Sequence, residues 1–153
     1  MADQYKATPA EADLVLRLYD LRREAEMRKA RNWFMMEFWP KSFEDLQKVL
    51  AAFGTPNNAW FRQVSSYWDM AAALVKHGTL SPALFYDTCG EAWLIFAKMK
   101  PFLENIRSTM SPEYLRSLEG VVEGTPEGRE RVARMQQNFV RWAEMRQKEA
   151  AAK

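Results

Sequence analysis

The sequence predicts an all-α fold, a single irregular bundle of five or six helices joined by short connections. Three observations lead there. Ser-Pro and Thr-Pro pairs recur where helices begin, apolar residues recur at helical spacing between them, and no stretch alternates with period two long enough to compete as a strand. The 153 residues suit one domain, 1–153, with residues 1–8 as an N-terminal extension and 150–153 as a frayed tail. A hydrophobic share of 48% against 27% charged residues gives such a chain enough apolar surface for a core without disulfides or metal.

The starts come in chain order. Thr8-Pro9, Thr55-Pro56, Ser81-Pro82, Ser111-Pro112 and Thr125-Pro126 each place a hydroxyl at N-cap, where it accepts from an orphan helix N–H. Proline at N1 lacks only an N–H that has no helical partner anyway. Glu11, three residues after Thr8, completes a capping box, and Ser42 opens a sixth helix with Glu44 and Asp45 in its first turn.

The first helix is expected from Pro9 to about Phe38, ending before Pro40. The second, about Phe43–Ala52, stops at Gly54, and the third, Pro56–Lys76, at Gly78; both glycines suit a left-handed position after the helix. The fourth runs from Pro82 to about Arg107 with a kink at Pro101. A short fifth covers Pro112 to about Leu118, and the last starts at Pro126.

Broad apolar stripes mark the third helix (Trp60, Val64, Tyr67, Trp68, Ala71) and the fourth (Phe85, Cys89, Ala92, Trp93, Phe96) as central. In the first helix the stripe gives way to Arg28, Lys29 and Asn32, and apolar density then returns at Trp33, Phe34, Met35, Met36, Phe38 and Trp39. Those positions go most of the way round a helix. Either that end is buried on several sides, or it keeps an exposed patch for a partner. Thirty residues at about 1.5 Å each reach about 45 Å, long enough to overhang a compact domain.

Composition narrows the chemistry. One cysteine excludes a disulfide framework and a thiolate zinc site within one chain, and one histidine excludes most imidazole-based sites. His77 is expected to cap a helix end, and Cys89 to be a small buried hydrophobe. No cofactor and no metal site are expected. Asp69, Asp87 and Glu91 lie among apolar residues and are the candidate acids for a pocket or an enzyme, the alternative being rim acids paired with Arg62, Arg107 or Lys98. No phosphate-binding glycine loop or nucleophile elbow occurs.

The net charge of +2 is a cancellation: residues 14–31 and 127–153 each carry +3, against −4 elsewhere. Were the two basic helices adjacent, Arg22, Arg23, Arg28, Lys29 and Arg31 would join Arg129, Arg134 and Arg141 in one face able to meet nucleic acid or an acidic membrane surface. The alternative is solvated faces with internal pairs such as Glu24–Arg28 and Glu130–Arg134. No segment approaches the length and apolarity of a transmembrane helix, and no export signal is apparent, so a cytoplasmic location is expected.

Tyr67, Leu74-Val75 with Gly78, the Trp93 helix, Pro101, and Arg107 ahead of Ser111-Pro112 give residues 61–122 a pattern that resembles an uncharacterised bacterial family of small all-helical domains, a domain of unknown function. The resemblance implies a helical bacterial protein, in a family whose members are often tethered by an N-terminal membrane helix, and it brings no activity or ligand. The reading from residues is a non-enzymatic protein–protein interaction or scaffold domain. A protein partner or self-association would engage Trp33, Phe34, Met36, Phe38 and Trp39, since Trp, Met and Arg are enriched at interfaces.

Overall fold

The computed structural model of the chain describes residues 6–152. Part of the expected extension, residues 1–5, and Lys153 of the tail lie outside the described residues. Helices and turns alone make up the rest: α1 (Pro9–Arg23), α2 (Ala25–Asn32), α3 (Phe43–Ala51), α4 (Pro56–Lys76), α5 (Pro82–Thr88), α6 (Glu91–Met99), α7 (Leu103–Thr109), α8 (Arg116–Val122) and α9 (Pro126–Ala151). A π-turn at Trp33–Glu37 continues α2, and a 3₁₀ turn at Lys100–Phe102 joins α6 to α7.

Five of the six expected starts form as the chemistry dictates. Thr8, Ser42, Thr55, Ser81 and Thr125 each accept, through the side-chain oxygen, the N–H of the residue three positions on. At α1 the box is complete. The Glu11 carboxylate also accepts the Ser81 N–H at 2.8 Å, tying the start of α1 to the start of α5. Gly54 and Gly78 adopt positive φ of 82° and 73°, ending α3 and α4 at the expected places.

The count of five or six helices is too low, for reasons local to three breaks. The expected first helix is cut at Glu24, which leaves helical geometry (φ −56°, ψ 144°) and whose carboxylate accepts the Met27 N–H at 2.9 Å as an N-cap. Arg31 then donates to the Arg22 carbonyl, left without a helical partner by the cut, at 3.2 Å. The expected fourth helix is cut at Cys89-Gly90 and again at Pro101, where a 3₁₀ turn replaces a simple kink. Gly90 sits against Arg131, whose guanidinium would lie 3.0 Å from any β-carbon there.

Ser111-Pro112 does not start a helix. Residues 112–115 form turns, and α8 begins only at Arg116, after Leu115 in left-handed geometry (φ 53°). Side chains from elsewhere hold that turn: Arg107 donates to the Tyr114 carbonyl at 3.0 Å, and Tyr114 and Ser65 share a hydroxyl bond of 3.0 Å.

At the centre lies α4, packed on α2, α3, α6, α8 and the π-turn. Its Trp68 and Phe61 are fully buried with Trp93 and Phe96 of α6, Phe85 of α5 and Phe34. Along one flank α9 rests on α6 and α8. The approach is close at Gly128, where a β-carbon would collide with the Val122 carbonyl at 2.2 Å and the Tyr86 hydroxyl at 2.6 Å.

Candidate interaction surface

The aromatic cluster singled out by the sequence divides at the π-turn. Trp33, Phe34 and Phe38 are buried in the domain's own core, a correction to their expected place on a contact surface. Trp33 stacks on Phe38 at 4.7 Å between ring centroids, and Phe34 on Phe61 at 6.0 Å. The π-turn makes this possible, because one extra residue per turn rotates successive aromatic side chains into a single core. Met36 remains exposed and Trp39 half-buried.

The same turn creates a polar demand. Phe38 N–H bonds the Trp33 carbonyl, at i−5, so the Phe34 carbonyl loses its helical donor. Lys98 of α6, only 5% exposed, supplies the replacement, donating to the Phe34 carbonyl at 2.5 Å and to the Phe38 carbonyl at 2.8 Å. Its ammonium also lies 3.5 Å from the Trp39 ring centroid, a cation–π contact, and faces the negative end of the helix. No carboxylate among the described residues bonds it. Burial, with the like charge of Arg146 on α9, lowers its pKa to about 7. The expected pairing of Lys98 with a rim acid is therefore corrected: it serves backbone carbonyls.

Trp39 turns its other side to α9, meeting Phe139 edge-on at 5.1 Å, and Phe139 in turn meets Trp142 at 5.8 Å. These rings, with Pro40, Lys41 and Arg146, line a cleft of about 350 Å³. Beyond it α9 runs free. Every residue from Val140 to Ala152 is exposed, including Trp142 at 42% and Met145 at 58%. Trp142 continues the helical spacing of Val132, Met135 and Phe139 yet is 42% exposed, and no pattern within α9 announces where its neighbours stop.

The basic residues do not merge into one face. α2 lies on α4 and α9 on α6 and α8. Arg31 is committed to Glu91, with Arg31 Nε 3.0 Å from both carboxylate oxygens, and Glu91 also accepts the Trp68 indole N–H at 3.2 Å. Arg22 lies over the Tyr19 and Trp68 rings, Arg23 over Tyr19, and Lys29 pairs with Glu26 at 2.6 Å. Arg28 is exposed; Arg129 donates to the Glu123 carbonyl. Arg134 and Arg141 are exposed and make no ion pair among the described residues, so the expected Glu130–Arg134 pair is not formed; nor is Glu24–Arg28, Glu24 being the cap of α2.

The candidate acids are likewise separated. Glu91 holds Arg31, the Asp69 carboxylate accepts the Leu118 N–H at 2.9 Å near the start of α8, and Asp87 is exposed on α5. Asp87 and Glu91, four apart, would share a face of one continuous helix, and the break at Cys89-Gly90 divides them between α5 and α6. Arg107 finds its acid in Glu119 at 2.8 Å, and Arg62 bonds Asn58 instead of an acid. Among the described residues no three His, Cys, Asp or Glu side chains converge on one point. His77 caps the end of α4 through its backbone, and Cys89 is buried, which pushes its thiol pKa up. Burial pushes Tyr67 up to about 12 while its hydroxyl donates to the Leu18 carbonyl at 2.6 Å.

Comparison with known families places residues 7–125 under a single family model, described as a domain of unknown function, DUF4760. The chain belongs to that family. The match reaches well beyond the residues 61–122 that carried the resemblance and ends at Thr125, the N-cap of α9. Curated proteins and solved structures yield no match to this member of the family. No helix among the described residues is long and apolar enough to cross a membrane.

Proposed function

We propose that the chain is a non-enzymatic protein–protein interaction domain whose contact surface is the free half of α9 together with the outer edge of Trp39. The observation that carries this reading is the exposure of Trp142 and Met145 on a helical segment that is exposed from Val140 onward and meets the Trp39 cleft through Trp142 and Arg146. Tryptophan in such a position supplies contact area at little conformational cost, methionine adapts to an irregular partner surface, and interfaces are enriched in both. The α9 segment replaces Trp33, Phe34 and Phe38 as the place where a partner is met.

In-cell cross-linking and light scattering test it. Trp142→Glu combined with Met145→Glu is expected to remove the association while leaving the unfolding midpoint close to wild type. Association unchanged in the double variant would overturn the proposal. Arg134 and Arg141, exposed and without ion pairs, favour one second reading, contact with a polyanion through α9. That contact requires an affinity that falls steeply with salt, and absent binding to duplex DNA or anionic vesicles at low salt dismisses it.

A further inference from the structure

A second apolar surface is left open on the flank of α4, about a quarter-turn from Trp68. It is a groove of about 550 Å³ between α3, α4, α7 and the turn before α8, with Phe53, 75% exposed, and half-exposed Met110 on its walls. Two charges on α4 also line it. Arg62 uses only Nε, donating to Asn58 at 3.1 Å, and its terminal amino groups make no bond among the described residues. Asp69, seven residues on, uses Oδ1 for Leu118 and leaves Oδ2 without a bond among the described residues, and Glu113 adds a second acid to the lining. Base and acid are therefore about 10.5 Å apart along the helix axis.

The free half of α9 carries the matching order. Arg141, Trp142, Met145 and Glu149 fall within an arc of about 100°, and Arg141 and Glu149 are about 12 Å apart along the axis. Neither charge is paired within the chain's described residues. The sequence along α4 is base, groove, acid; along α9 it is base, apolar pair, acid.

We infer that α9 of one copy seats in the α3–α4–α7 groove of a second copy, antiparallel to α4 there. Trp142 and Met145 enter between Phe53 and Met110, Arg141 meets Asp69 and Glu113, and Glu149 meets Arg62. This is an amphipathic helix laid in an apolar groove, with a charge pair at each end fixing direction. Because groove and helix are different patches, the contact is heterologous: the first contact leaves one copy with a free groove and the other with a free helix, and assembly proceeds to a ring or a chain. The inference rests on the reading of α9 as a contact surface.

Sedimentation of the full chain over a range of concentrations tests it. Wild type forms species larger than a dimer, and Phe53→Asp or Met145→Glu, both at exposed positions, weakens association at least about tenfold. Mixing those two variants yields a dimer that grows no further, since only one intact groove and one intact helix remain between them. Arg62→Glu and Glu149→Arg each weaken association about threefold or more, and the two combined in one chain recover it. A wild-type chain that stays monomeric at about 1 mM, or a mixture that stays monomeric, overturns the inference. If Phe53→Asp associates like wild type while Trp142→Glu with Met145→Glu does not, the α9 surface stands and the groove is not its seat.

Discussion

Two stretches of this chain concentrate aromatic and methionine residues next to basic ones, and the fold treats them in opposite ways. At Trp33–Phe38 a π-turn winds the rings inward, and a lysine from another helix follows them to satisfy the carbonyl the turn releases. At Phe139–Met145 the helix stays regular, and past Phe139, which packs on Trp39, it leaves Val140, Trp142 and Met145 exposed. Both stretches carry aromatic and methionine side chains, the first more densely. They differ also in the availability of a covering helix, and the contrast teaches that an aromatic-rich segment is core or contact surface according to what lies opposite it.

The comparison breaks most readily at Phe34. With no exposed surface and rings on both sides, Phe34→Ala is expected to cost about 3–5 kcal/mol in urea denaturation. A loss below about 1 kcal/mol would mean the π-turn end is not core after all.

The next effect is the pH dependence that Lys98 contributes. Its pKa is about 7 in the folded chain against an ordinary value of 10.5, so between those limits the unfolded chain binds the extra proton. Stability therefore rises with pH from about 7 toward 10.5 and gains nothing from this group below about 7, where both states hold the proton. Wild-type denaturation midpoints should rise relative to those of Lys98→Met across that window, while Cys89 and Tyr67, whose raised pKa values act in the opposite direction above 9.0 and 10.0, are common to both proteins. Equal slopes in the two proteins would place the ammonium in water.

The smallest expected effect is at the other region. Trp142→Ala should leave stability within about 0.5 kcal/mol of wild type, because the side chain makes few contacts to lose. A loss approaching that of Phe34→Ala would show that the free half of α9 is covered by its own chain and would erase the distinction.

Much of this was legible in the residues. Thr8, Ser42, Thr55, Ser81 and Thr125 announced their helices because capping is a contact over three residues, and Gly54 and Gly78 ended theirs because positive φ is a property of one. Ser111-Pro112 shows the limit: the same dipeptide opens a turn there, since Arg107 and Ser65, distant in sequence, hold the Tyr114 backbone and hydroxyl in place. Glu24 is a related case, a helix break set by a residue type that carries no strong breaking signal.

By itself, then, the sequence determined the all-helical class, most helix boundaries and the absence of thiol or imidazole clusters, all of which depend on composition or on neighbours a few positions apart. Only the tertiary structure decided which aromatic segment is buried, that Lys98 enters the core, and that Asp69, Asp87 and Glu91 part company. Those outcomes depend on which helices come to lie side by side. The spacing of residues within one helix fixes the direction a side chain points, and it leaves open what that side chain will meet.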